Sequence, residues 1–590
     1  MNMKKILYII SLVFAVSLIS CEDFLDSPSK STMDESLIFS TPTLASSAID
    51  GIKVSFGETN SYRGRYLTHY GSNTDIEWIN TTTVNARSDL ARYVNSPENL
   101  DMNRADQAWA KMYEGIERAN ICIRGIRTYG DPKPGNEMGQ LLGEALTLRA
   151  VYYADLVRAW GDVVARFEPV SSQTIYLPKS SRDVIYKQLI ADLGEAADLV
   201  GWPNENSRTT TVEGINKAFV KAFRARICLA AAGYSMYPDA TGMPVVRRSN
   251  DPDLAVSILY PMALQECQDV IGSGKAKLET TFEGLWRKNC EDATVDPDPA
   301  GWESLWEIPF AQGRGRHLYT YGVKHNSTDQ YTGQNQGGTY GPLPVVYYDY
   351  DEKDTRRDVT CVPYQYGTAT AGVAKQELRA LNNWCFGKWR YEWMDRIVTS
   401  TNDDGVNKIY LRYAEVLLMA AEISNELTGP SAAAPYMKDI RKRAFAQTDW
   451  PVKVEAYVNA LASKEAMFDA IVKEQAFEFC GEMERKAALI RWNLLKANMD
   501  EAKLKMVRLR DRTDEYADVP ANLYYKYVAD EDGKITKLSI YGLNRGETAD
   551  MSGEYPYLVT DWVAPSKLDD IRINLLYTND PDKNHFWPIF

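Results

Sequence analysis

The chain has 590 residues, 45% hydrophobic and 25% charged, which is ordinary globular composition and long enough for a large core. Its formal net charge of −13 repels phosphate backbones, so nucleic acid is not an expected partner and a neutral ligand suits the surface better than a polyanion. Aromatics make up 11%, with 36 Tyr and 14 Trp, which serve both as core and as contact surface for ligands with apolar and polar faces.

Residues 1–20 open with Lys4 and Lys5 and run apolar from Ile6 to Ile19. The run is too short and too close to the start for a membrane span, and it reads as a signal peptide. It ends Leu18-Ile19-Ser20-Cys21, which looks like a bacterial lipobox, so Cys21 is the expected lipidation site. The remaining cysteines are odd in number and show no C-x-x-C spacing, which argues against a zinc site or a disulfide framework. Cys122, Cys228 and Cys480 fall in helical patterns and read as small buried residues.

Residues 46–56 are a short helix candidate, and residues 62–78, rich in Tyr, Gly and Asn, read as loop. Trp109, Met112, Ile116, Ala119 and Ile123 mark a strong helix that ends before Gly130-Asp131-Pro132. Leu141, Ala145, Leu148, Tyr152 and Leu156 mark the next, ended by Trp160-Gly161-Asp162. A third opens at Ser180 with a capping box, Ser-Ser-Arg-Asp. The fourth carries Ala218, Ala222, Ala225, Leu229 and Ala232, a stripe of small residues that permits close helix approach. Consecutive helices with short breaks and no strands between them predict stacked helical hairpins.

The character changes near Leu278. Residues 302–310 read as a short strand. An irregular region follows to about Asp404, with Tyr319, Tyr321, Tyr331, Tyr340, Tyr347, Tyr348 and Tyr350 among glycines. A loop of that length inside a compact domain is usually functional. Helix returns at Ile409, Tyr413, Val416, Ala420 and Ile423. Residues 464–495 give an amphipathic helix, a stop at Gly481 and a second apolar series. Glu474, Glu478 and Glu482 stand at i, i+4 steps and repel unless cations answer them; Arg485 and Arg491 are the nearest candidates. Asp532-Gly533 between residues 524–528 and 534–540 signals a hairpin.

The run E-x-x-F-E-F-x-G-E-x-x-R-x-x-x-L-I-R-W within residues 464–495 resembles the C-terminal signature of the SusD/RagB family. Further strings resemble the same family in order: Cys-Glu-Asp-Phe-Leu-Asp at 21–26, W-x-x-x-Y-x-x-I-x-x-A-N at 109–120, G-E-A-x-x-L-R-A at 143–150, W-G-D at 160–162, residues 412–418 and residues 440–444. The resemblance implies a mainly α fold: a tetratricopeptide-like helical hairpin scaffold with a loop-rich, short-strand excursion. It divides the chain into a lipoprotein signal peptide at 1–20 and a SusD-like domain at 21–590. That domain comprises N-terminal hairpins at 21–275, the excursion at 276–404, and C-terminal helices and hairpin at 405–590. Glu22 and Asp23 after Cys21 resemble the family's signal for transfer to the outer leaflet. The family consists of outer-membrane nutrient-binding lipoproteins that sit on SusC-like, TonB-dependent β-barrel transporters.

Enzymatic signals are weak. His69, His317, His325 and His585 stand in no H-E-x-x-H motif, and no G-x-S-x-G elbow or phosphate loop occurs. Gly313-Arg314-Gly315 lacks the strand–helix setting of such a loop, and no catalytic or metal residue is assigned. Asp349, Asp351 and Asp354 offer oxygens to calcium but lack the ligand series of an EF-hand loop, so a solvated acidic turn is the default.

Sugars present apolar C–H faces and polar rims, which flat rings and polar side chains can match. Two loop regions supply such sets: Arg65, Tyr70, Asn73, Asp75 and Trp78 in the first, and Tyr319, Tyr321 and Tyr340 in the second. Trp78 resembles the early-loop position where relatives place a glycan-facing ring. Trp160, Trp302, Trp306 and Trp492 lie in apolar patterns and read as structural. The expectation is therefore a non-catalytic, surface-anchored lipoprotein that binds oligosaccharide and hands it to a SusC-like transporter. A peptide receptor of RagB type and a cell-surface glycoside hydrolase are the alternatives.

Overall fold

Four of the long helices begin where the sequence supplies an oxygen for their unpaired amides. In the computed structural model, Asn136 accepts from the Gly139 amide at 2.7 Å, Ser181 from Asp183 at 3.2 Å, Asn216 from Phe219 at 3.0 Å and Ser463 from Ala466 at 3.1 Å. The third expected cap thus falls on Ser181, one residue after Ser180. The structure describes residues 34–564, apart from 60, 82, 84, 94–98, 102–106 and 296–301, together with 568, 569 and 573. Cys21, the leader and the Trp587–Phe590 end lie outside the described residues.

The long helices are α1 (Pro42–Lys53), α2 (Ala108–Tyr129), α3 (Glu137–Trp160), α4 (Arg182–Leu199), α5 (Lys217–Ala232), α6 (Val256–Ser273), α7 (Tyr413–Leu427), α8 (Pro430–Ala444), α9 (Lys464–Phe479) and α10 (Leu495–Asp511). From α2 to α8 each packs on the next in order, and α1 covers α2 and α3. The fold is a stack of helical hairpins in which helix predominates over strand. Ala218, Ala222, Ala225 and Ala232 are buried on α5, so its backbone lies close to its neighbours, as the small-residue stripe requires. One continuous apolar core runs through this scaffold and reaches Trp306. No helix among the described residues is long and apolar enough to cross a membrane.

The strands are short. Those that matter here are β1 (Glu77–Ile79), β2 (Ser304–Ile308), β3 (Tyr340–Pro342), β4 (Lys408–Arg412), β5 (Leu523–Ala529), β6 (Ile535–Tyr541) and β7 (Tyr557–Val559); further short pairs lie between β3 and β4, and Ser235–Pro238 pairs with Pro244–Arg247 between α5 and α6, where the sequence shows no strand. β1 pairs antiparallel with β3, and β2 with β4. β5 and β6 form the hairpin predicted at Asp532-Gly533, and β7 adds a third strand that the sequence did not announce.

Residues 276–404 are less loop-like than their composition suggests. They build a second core with Trp78, Trp286, Tyr321, Tyr340, Trp384, Trp389 and the apolar face of α10. Its pieces are too short to display a period in sequence. Trp160, Trp302 and Trp306 are buried as expected. Trp492 is only half-buried, edge-on to Phe468 at 5.7 Å, and donates to Glu422 at 2.9 Å. The cysteines among the described residues are all buried and unpaired.

Between the two cores lies a buried ion network. Arg412 donates to Glu478 at 2.6 Å, Glu303 at 2.7 Å and Glu482 at 2.8 Å. Arg356 meets Glu474 at 2.6 Å, Asp354 at 2.7 Å and Glu478 at 2.8 Å, while Lys388 meets Glu482 at 2.6 Å. Arg441 bonds Glu474, and Arg443 bonds Glu303 and Glu478. Burial alone would raise the Glu478 carboxyl; Arg443, Arg412 and Arg356 outweigh it and hold it well below the usual range. The cations that answer the acids of α9 are therefore distant in sequence. The chain turns at Gly481, so Arg485 goes to Asp75 and Arg491 to Glu422 instead. Asp349, Asp351 and Asp354 are likewise answered, by Lys505, Lys453 and Arg356, which removes the case for calcium there.

Candidate functional site

The two loop regions singled out in sequence meet along one seam. β1 and β3 set its register, with Glu77 opposite Pro342, Trp78 opposite Gly341 and Ile79 opposite Tyr340. His69 Nδ1 lies 2.8 Å from the Tyr340 hydroxyl. Burial, then the charges of Arg87, Arg316 and Arg65, lower its pKa to about 3, so the ring is neutral at ordinary pH. Tyr321 stacks on Tyr340 with centroids 5.4 Å apart, donates to the Thr68 carbonyl at 2.6 Å and meets the Ser72 hydroxyl. Tyr70 donates to the Arg158 carbonyl at 3.0 Å.

These contacts correct most of the expected ligand-facing set. Trp78 is 2% exposed, because strand pairing turns its ring into the second core. Tyr70, Tyr321 and Tyr340 are buried as well and have no face left for a sugar. Asn73 is buried in a left-handed turn at φ 68°, and its carbonyl accepts from the Tyr93 hydroxyl at 3.0 Å. Asp75 is bound by Arg485 at 2.6 and 2.8 Å and by Asn498 at 2.9 Å, so its oxygens are already committed.

Glu77 accepts from the Gly481 amide at 2.8 Å, and burial pushes its carboxyl up to about 7. A carboxyl raised from 4.5 is protonated in the fold over a window where the unfolded chain has already ionised, so its contribution is lost as pH rises through about 7. Glu77→Gln, neutral throughout, should match the wild type below pH 4.5 and exceed its stability by about 3 kcal/mol above pH 7. Melting curves at the two extremes check this; equal shifts at both would refute it.

Arg65 and Tyr319 remain accessible. The Arg65 side chain is 33% exposed and lies 3.6 Å from Asp101. Tyr319 is half-buried, with the Arg316 guanidinium 4.0 Å above its ring. Around them stand residues that sequence reasoning missed: Arg63, Arg87, Arg314, Arg316 and Asn402. Arg316 Nη1 donates to Asn402 Oδ1 at 3.1 Å, and Arg87 approaches Asp101 at 4.0 Å. The signal was present as two Arg-Gly-Arg triplets, at 63–65 and 314–316. Nothing in either triplet says that it meets the other.

A concavity of 140 Å³ lies away from the seam, in the helical scaffold, against Asp155, Arg158, Arg226, Glu415, Glu484 and Trp492. Its charges satisfy one another, Arg226 on Glu415 at 2.7 Å and Arg158 on Glu484 at 3.2 Å. It leaves fewer charges for a ligand than the seam does.

Comparison with known proteins gives a consistent picture. A family model described as SusD family matches residues 302–537, and one described as Starch-binding associating with outer membrane matches residues 23–229. SusD-like protein P25 of Formosa agariphila is 24% identical, over 84% of this chain and 91% of its own. SusD-like protein P2 of the same organism is 26% identical, over 75% of this chain and 82% of its own. Among solved structures, a SusD homolog from Bacteroides thetaiotaomicron VPI-5482 gives a TM-score of 0.69 at 20% identity, over 81% of this chain and 91% of that one. Surface glycan-binding protein A from Bacteroides thetaiotaomicron, solved with laminarihexaose, gives 0.56 at 18% identity, over 77% and 90%.

Proposed function

The chain belongs to the SusD family, and from that premise we propose that it is an outer-membrane receptor that captures an oligosaccharide and passes it to a SusC-like TonB-dependent transporter. The observation that carries this reading is the match of residues 23–229 to a family described as starch-binding and associating with the outer membrane. The laminarihexaose held by surface glycan-binding protein A supports the ligand class. Cys21 is the anchor in this reading, and the tethered chain closes over the barrel after binding. The helical scaffold supplies the broad, stiff face that a lid needs, since stable interfaces bury on the order of 1,200–2,000 Å².

The ligand meets the seam at Arg65 and Tyr319. No cluster of three or more His, Cys, Asp or Glu among the described residues is placed to hold a metal ion. Binding without turnover is the activity proposed. The test is a glycan array run beside a peptide pool, followed by calorimetry on the hits and a reducing-end assay on the bound glycan. Glycan binding without new reducing ends is expected. Tyr319→Ala, at a half-buried ring, should weaken binding by about 1–2 kcal/mol with little change in melting temperature. Binding confined to peptides, or release of reducing ends, would replace this reading with one of its rivals. Co-purification of a large β-barrel with the tagged chain in mild detergent tests delivery, and recovery of the chain alone would remove it.

A further inference from the structure

Resting on the glycan-receptor reading and narrowing it, we propose that the seam binds an anionic group of the glycan, a sulfate ester or a uronate carboxylate, between its two Arg-Gly-Arg triplets. Arg63-Gly64-Arg65 and Arg314-Gly315-Arg316 come together because glycine leaves room. A Cβ on Gly64 would stand 2.6 Å from Arg316 Cδ, so the Arg316 stem lies where a side chain would be. Gly315 takes φ +89°, and a Cβ there would stand 2.3 Å from Asp404 Oδ1. Arg316 is then fixed between Asn402 and the Tyr319 ring. Arg87, 36% exposed in its side chain, completes the group beside Arg65.

Among the described residues, the carboxylates facing these guanidiniums are fewer than the guanidiniums. Asp101 is shared by Arg65 and Arg87 at 3.6 and 4.0 Å, both loose. Glu58 acts on Arg63 and lies 3.9 Å from Lys111. Asp403 pairs with Arg396 at 3.6 Å and accepts from the Gly313 amide. Asp404 is buried, accepts from the Leu318 amide at 2.8 Å, and burial pushes it up to about 7. The Nε atoms of Arg63 and Arg65 are buried and have no hydrogen-bond partner among the described residues. Burial and then Arg314 lower Arg63; burial, with Arg87 and Arg65 among its causes, lowers Arg316. Cations crowded in this way gain from an anion set between them, and a guanidinium fork matches sulfate and carboxylate oxygens in pairs. The positive patch stands on a chain of net charge −13, so its attraction is local to the seam.

The test is calorimetric titration of the full chain with three panels: neutral β-glucan oligosaccharides, uronate oligosaccharides and sulfated galactan oligosaccharides. One anionic panel should bind, with affinity falling as salt is raised. Arg63→Ala with Arg314→Ala should weaken that binding by about tenfold or more, and Arg314→Glu alone should do at least as much. Arg314 is exposed on a loop, so an unchanged melting curve for Arg314→Glu separates loss of binding from loss of fold. The panel that responds distinguishes sulfate from carboxylate. Neutral glycans binding alone, indifferent to Arg314→Glu, would overturn the anionic site and leave the receptor standing. No binding in any panel would overturn both.

Discussion

Arg412→Met is expected to lower the stability of the fold by about 3–5 kcal/mol, with urea unfolding as the measurement. Arg412 is fully enclosed and bonds Glu303, Glu478 and Glu482 at once. Methionine fills much of the volume, so the loss comes from carboxylates left charged in a buried site. Arg356 and Arg443 still hold Glu478, whereas Glu482 keeps Lys388 as its one remaining ion-paired cation among the described residues. Adding Glu482→Gln to the Arg412→Met background should therefore recover part of the loss. A single variant within 1 kcal/mol of wild type would mean that the network contributes little.

Trp78→Ala should also cost about 3–5 kcal/mol, through the cavity left in the second core. The ring belongs to the second core, on the strand that carries the seam. Thermal melting is the readout. A variant that melts with the wild type would put the ring outside the core and return it to the ligand face.

How much of this was legible in sequence differs between the two cores. Much of the helical scaffold announced itself because α2, α3, α5 and α7 repeat their apolar residues at the helical period over several turns, whereas nothing in the sequence reading marks α6 or α10. The family strings at 109–120 and 143–150 fall on α2 and α3, and the one within 464–495 begins on α9 and runs past its end at Phe479. The second core did not, since its residues come from short pieces whose partners lie hundreds of positions away. Aromatic rings in a polar, glycine-rich stretch are compatible with either a core or a ligand face. Strand pairing and a neutral His69 turned Trp78, Tyr321 and Tyr340 inward. Charge misled in another way. A net value of −13 describes the whole chain and hides arginines gathered at one place. The acids of α9 likewise gave no hint that residues 356, 412, 441 and 443 would answer them.

The seam also fixes an order of events during biogenesis. His69 and its partner Tyr340 are 271 positions apart, and Asp75 and Arg485 are 410 apart. The hairpins of α2 to α5 need only near neighbours and can form while the rest of the polypeptide is still arriving. Residues 61–80 must wait. Contacts closed over such long loops come late, after local ones have limited the search. In a chain that emerges N-terminus first, residues 61–80 gain their seam partners only once residues 314–342 have arrived, and a product truncated before residue 314 carries the hairpins of α2 to α5 without the seam.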